Sequence, residues 1–156
     1  MKPLEYFKKY RERMLEELKE FLRIPSVSAQ PEHKEDMQRC AEWLSNHCKA
    51  IGLNAEIHQT KGHPIVLART PHNVSKRSYM VYGHYDVQPV EPLEGWTKTT
   101  NPFEPVVKDG NIYGRGTSDD KGQLFTHLKA IECILKTGSE LPFNIVFLME
   151  GEEEIG

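Results

Sequence analysis

After Gly52 the spacing of apolar residues changes, and that change limits the possible folds more than any other feature of this sequence. Before it, Leu4, Phe7, Met14, Leu15, Leu18, Phe21 and Leu22 follow helical steps between Pro3 and Pro25,. Met37, Cys40, Ala41, Leu44, Cys48 and Ile51 repeat the pattern, with Gly52 as the stop,. Beyond it, "NAEIHQT", "PIVLART" and "SYMVYGH" are short, rich in β-formers and separated by Gly, Pro and polar residues, which predicts three strands,. Leu124, Leu128, Ile131 and Leu135 predict a third helix ending near Gly138, followed by an apolar strand over Phe143 to Met149,. Helices exchanging with apolar strands in this order predict an α/β layered sheet in one unit, without repeats or an internal boundary. From Gln88 to Asn111 runs a long connection punctuated by Pro and Gly, with a hairpin expected around "VKDGNIY". A connection of that length in a compact domain is commonly functional.

Composition matters here for what it excludes. A net charge of −3 and the lack of any Lys/Arg run argue against a nucleic-acid partner,. The charged N-terminus does not read as a signal peptide, and the longest apolar run, Ile145 to Met149, is too short to span a bilayer, so no membrane partner and a cytoplasmic location are expected,. Cys40, Cys48 and Cys133 show no CxxC spacing and are expected to be packed, reduced thiols,.

Three polar clusters fall at expected strand ends or helix starts, where ligands gather in open α/β sheets. In "YGHYDVQP", His84 leaves an apolar strand with Asp86 two residues on, so both can face one side and the carboxylate can orient the imidazole,. The alternative is a surface His and Asp at a loop start. In "GRGTSDDKG", Asp119 and Asp120 stand at the start of the third helix, where a carboxylate can cap exposed N–H groups; the flanking glycines allow tight turning, and two acids there suit a hard cation,. A phosphate loop is the rival, but the GxxxxGK[ST] pattern is missing. The third cluster, "EGEEEIG", ends a short apolar run with Glu152, Glu153 and Glu154 side by side, and such like charges need a positive partner. One His, an Asp pair and a Glu pair form a nitrogen–oxygen donor set suited to zinc and acceptable to manganese or cobalt. Adjacent glutamates can divide the work, one holding metal and the other taking a proton from water.

"GHYDVQP", then "GWTKTTNPFEPVVKDGNIYGRGTSDDKG", then "EGEEEIG", with "LRIPSVS" after the first helix, resembles the zinc-dependent metallopeptidase family of carnosine-type dipeptidases, acetylornithine deacetylase and succinyl-diaminopimelate desuccinylase. The resemblance implies an α/β/α sandwich with a mixed sheet and a co-catalytic pair of Zn2+ ions, Mn2+ or Co2+ being alternatives, that share a bridging aspartate and a bridging water. It implies metal ligands His84, Asp119 and Glu154, with Asp119 bridging, Glu153 as general base, Asp86 supporting His84, and a cis peptide after Asp119. The activity implied is hydrolysis of an amide bond in a dipeptide or short peptide, with "DVQP" and "DDKG" closer to the dipeptidase branch than to the acyl-amino-acid deacylases. Residues 1–156 are expected to be the N-terminal portion of the catalytic domain. The rest of the ligand shell and a lid that would make the parent a homodimer are expected outside them, so that the chain alone would be weakly metal-binding and inactive. Two readings of other classes stand beside this one: a non-catalytic fragment, and a metal-dependent phosphotransferase built on Asp119, Asp120 and Lys121.

Overall fold

A computed structural model describes residues 1–155. Helix α1 covers Pro3–Arg23 and α2 Lys34–Ile51; strands β1 (Asn54–His58), β2 (Ile65–Arg69) and β3 (Ser78–His84) follow. The hairpin β4 (Val106–Lys108) and β5 (Asn111–Tyr113) precedes α3 (Lys121–Lys136) and β6 (Asn144–Glu150), and a 3-10 turn spans Glu153–Ile155. Gly52 ends α2 at φ 108°, a conformation open to glycine, and its N–H returns to the Cys48 and Lys49 carbonyls,. The expected hairpin forms with Asp109 and Gly110 both at positive φ, 53° and 76°, as a tight two-residue turn requires,.

The main sheet has the order β1-β2-β6-β3. β1/β2 and β2/β6 are antiparallel, and β3/β6 is parallel, which makes the sheet mixed. β6 explains how the layers meet: Ile145, Phe147 and Met149 are buried while Val146, Leu148 and Glu150 are half-buried, the period-two pattern of a strand with one covered face,. α2 lies on β1 and β2, α3 lies on β3, and both touch α1, so one core joins Phe21, Leu44, Leu124 and Leu128 to Val66 and Phe147. The layered α/β architecture with a mixed sheet is as expected. Among the described residues the helices cover one face, and Met80 and Tyr82 on β3 remain 64% and 52% exposed. The three cysteines are buried and unpaired. No helix among the described residues is long and apolar enough to cross a membrane.

Register positions the site. Because β3 and β6 run parallel with His84 opposite Glu150, the segments leaving them emerge side by side at one end of the sheet. The Tyr85 N–H extends the pairing to the Glu150 carbonyl at 2.8 Å. Gly151 makes this turn possible, since a Cβ there would lie 2.6 Å from the Tyr85 ring. The long connection between β3 and β4 is pinned down: Trp96 Nε1–H donates to Val90 O at 2.8 Å, Arg115 donates to Pro89 O at 2.8 Å, and Arg23 pairs with Glu104 at 2.8 Å.

Candidate metal centre

His84 is the last residue of β3 and only 6% exposed. Its Nδ1 lies 3.1 Å from the Asp86 carbonyl and 3.3 Å from Asp86 Oδ1, while Nε2 lies 3.2 Å from Asp119 Oδ1 and 3.8 Å from Glu153 Oε2. With Nδ1–H donating toward Asp86, the lone pair of the neutral ring is left on Nε2, facing the carboxylates. One nitrogen of His84 and one oxygen each of Asp119 and Glu154 lie within 4.8 Å of one another. The cluster opens to solvent on the Asp119 side, whose side chain is 75% exposed.

Asp86 joins two of the motifs. It is completely buried, yet its Oδ2 accepts the Ser28 hydroxyl at 2.6 Å and the Glu154 N–H at 2.9 Å. Oδ1 has no hydrogen bond and faces only the His84 ring. Burial pushes the Asp86 carboxyl up, but the facing His84 ring, the Ser28 hydroxyl and the Glu154 amide outweigh it and hold the group below the usual range,. Burial would lower His84, but the Asp86 carboxylate and carbonyl and the charge of Asp120 prevail, and its pKa rises to about 9,. Glu154 is held from its other side by Gln88, whose amide donates to Oε2 at 2.7 Å and to the Glu154 carbonyl at 3.2 Å.

The aspartate pair divides differently from the capping expectation. The peptide between Asp119 and Asp120 is cis, as is Glu91–Pro92. Asp119 faces the imidazole, whereas Asp120 Oδ2 accepts the His84 backbone N–H at 3.1 Å and does not cap α3. The strand end, which lacks a partner for that N–H, competes successfully for the carboxylate. Lys121 is fully buried, donating to the carbonyls of Phe21 at 3.1 Å and Ile24 at 2.7 Å at the end of α1. A lysine so enclosed presents no charge to a nucleotide phosphate, which removes the support for the phosphotransferase reading.

The donor set fits a divalent cation. Among the described residues, Asp86, Asp119 and Glu153 make ion-pair contacts only with His84, and no Lys or Arg lies within pairing distance of Asp120, Glu152 or Glu154. A second cluster shows what a satisfied arrangement looks like. Glu17, His47 and Glu132 also bring ligand atoms within 4.8 Å. There, however, Arg13 and Lys129 each bridge both glutamates, and a cation would have to displace two charges already in place,. His47 stacks on Trp43 at 4.7 Å between ring centroids, and burial lowers its pKa to about 4.

Residues 80–156 match the peptidase family M20/M25/M40. The chain belongs to that family. It is 36% identical over 92% of its length to the Cys-Gly metallodipeptidase DUG1 of Candida albicans, covering 32% of that protein. Against the structure of human carnosine dipeptidase 1 the TM-score is 0.88 at 28% identity, with 99% of this chain and 35% of the other covered. The M20 family metallo-carboxypeptidase Sso-CP2 from Sulfolobus solfataricus gives 0.81 at 40% identity over 91% of this chain and 31% of the other. The chain thus spans about a third of the length of the M20 relatives it matches. M20 membership implies a metal cofactor, and the cluster at His84 is the place whose charge calls for one. Ser28 and Gln88 also reach this cluster, although neither residue type marks itself for it in the sequence. "LRIPSVS" was the only pointer to Ser28, and "DVQP" to Gln88.

Proposed function

We propose that this chain contributes the N-terminal portion of an M20 catalytic domain, and that the whole protein hydrolyses the amide bond of a dipeptide with a pair of divalent cations, zinc foremost. The observation that carries the reading is the convergence of one His84 ring nitrogen with a carboxylate oxygen each of Asp119 and Glu154 within 4.8 Å, with no Lys or Arg among the described residues at pairing distance from these acids. The dipeptide rests on likeness to the Cys-Gly and carnosine dipeptidases.

When bound, the cations supply Lewis acidity that polarises the scissile carbonyl and makes water easier to deprotonate. His84, Asp119 and Glu154 would hold them, with further ligands supplied from elsewhere in the whole protein. Asp86 fixes the ring so that Nε2 keeps its lone pair toward the cluster. Glu153, with a half-exposed carboxylate 3.8 Å from that nitrogen, is placed to take a proton from the attacking water and return it to the leaving nitrogen,. Buried Asp86 cannot do this work, since no solvent reaches it.

Zinc titration of the chain and a dipeptide assay of the whole protein test the reading. Glu153→Gln should abolish turnover while retaining metal, whereas His84→Ala and Glu154→Ala should lower metal content too. Wild-type turnover in Glu153→Gln, or undiminished zinc binding in His84→Ala, would overturn it.

A further inference from the structure

The segment after α1 does more than connect it to α2. Residues 26–28 run alongside 85–87 as a short parallel bridge, with Val27 paired to Val87 and the Val87 N–H donating to Ser26 O at 2.9 Å. Two hydroxyls of this strap point into the protein. Ser26 Oγ donates to the Tyr85 carbonyl at 2.6 Å, and Ser28 Oγ donates to Asp86 Oδ2 at 2.6 Å. The strap is held from its other side by His63, whose Nε2 lies 3.1 Å from the Ser28 carbonyl. Ser26, Val27, Ser28, Asp86 and Val87 are all buried, so no solvent can stand in for either hydroxyl.

The two serines have unequal consequences. Ser26 satisfies a backbone carbonyl and stops there. Ser28 holds the one carboxylate that touches two members of the metal cluster: Oδ2 also accepts the Glu154 N–H at 2.9 Å, and Oδ1 faces His84 Nδ1 at 3.3 Å. The carboxylate can rotate about its Cβ–Cγ bond. Ser28 and the Glu154 amide on one oxygen, with the imidazole facing the other, fix that rotation. Without the hydroxyl one anchor is gone, and the Glu154 backbone and the His84 ring lose a common reference.

We propose that Ser28 is a positioning residue of the metal centre, setting the plane of the Asp86 carboxylate and through it the separation of His84 Nε2 and the Glu154 carboxylate. The inference rests on the reading of this cluster as a divalent-metal site. It also gives a purpose to the strap, which otherwise only ties the end of α1 to the end of β3.

The test compares Ser28→Ala and Ser28→Thr with Ser26→Ala, which removes a buried hydroxyl from the same strap without touching the cluster. Zinc is titrated into each by competition with a chromophoric chelator. In the metal-free chain, amide hydrogen exchange at Glu154 and the ring 15N shifts of His84 are read by NMR. Loss of an outer hydrogen-bonding partner typically weakens metal binding about 10–100-fold. A loss in that range is expected for Ser28→Ala, with Ser28→Thr restoring affinity to within about threefold of wild type and Ser26→Ala leaving it unchanged. Faster Glu154 exchange and displaced His84 ring 15N resonances should accompany Ser28→Ala alone. Should Ser28→Ala fail to fold, Ser28→Cys, of similar size and a weaker donor, takes its place. Equal zinc affinity and unchanged Glu154 exchange in the alanine or cysteine variant, or equal losses in Ser26→Ala, would overturn the proposal. If neither this chain nor the whole protein takes up zinc but the NMR changes follow Ser28 alone, the positioning role stands and the metal reading fails.

Discussion

Zinc uptake by this chain should depend on pH far more steeply than an ordinary histidine ligand would allow. In the metal-free protein His84 carries a pKa near 9, raised by Asp86 and Asp120 against the cost of burial, so at neutral pH the imidazolium occupies the place a cation would take. The folded value lies above the ordinary 6.5. Stability from this interaction is therefore fully present below pH 6.5 and lost as pH rises through about 9,. It amounts to about 3 kcal/mol at 1.36 kcal/mol per unit. Zinc needs the neutral ring and must displace that proton. Between pH 6 and 8 the neutral fraction of a group titrating at 9 rises about ninety-fold, whereas for one at 6.5 it rises only about fourfold. Competition titrations at pH 6, 7 and 8, alongside NMR titration of the His84 ring, distinguish the two. Asp86→Asn removes the largest favourable partner of the imidazolium and should flatten the dependence. A fourfold rise in wild type, or a ring titrating near 6.5, would show that the Asp86 contact does not hold the imidazolium as described.

Other outcomes follow from the same structure. His47→Phe should make the chain more resistant to acid, because burial lowers His47 to about 4 and the unfolded state takes up a proton the folded state refuses. That stability is present above pH 6.5 and lost as pH falls toward 4, so urea unfolding should show wild type losing about 2 kcal/mol more than the variant between pH 7 and 5. Lys121→Met should cost about 1–3 kcal/mol by leaving the Phe21 and Ile24 carbonyls without their donor, measured by denaturant midpoint,. Gly151→Ala should destabilise by about 1–3 kcal/mol, because its Cβ would press on the Tyr85 ring, and it should lower zinc uptake by moving the turn that carries Glu153 and Glu154,.

The elements that position the site were legible because their signals are local. The run "SYMVYGH" became β3 from Ser78 to His84, and the alternation in the last apolar run became β6 with its covered face. The parallel pairing that sets "GHYD" beside "EGEEE" left only an indirect trace, the helix and long connection between the two strands. Polar contacts were harder to read. Ser28 looks like any loop serine until Asp86 is found against it, and Gln88 like any polar residue before a proline. The position of the Asp119–Asp120 pair suits a carboxylate that caps α3, but the N–H at the end of β3 takes the Asp120 carboxylate instead. Lysines are almost never fully buried, so nothing in "DDKG" signalled that Lys121 would turn inward to the end of α1,.

The two borders of the main sheet are unlike. β1 carries Asn54, Glu56 and His58 along five residues, a short polar edge that discourages further pairing,. β3 has neither charge nor proline in its six residues before His84, and Tyr79, Met80 and Tyr82 stand 52%, 64% and 52% exposed. An unguarded edge of this kind is a template for another strand, whether from elsewhere in the whole protein or from a second molecule at high concentration. Since β3 ends at His84, a strand annealing there would reach the rim of the His84–Asp119–Glu154 cluster, and the company β3 keeps would bear directly on access to it.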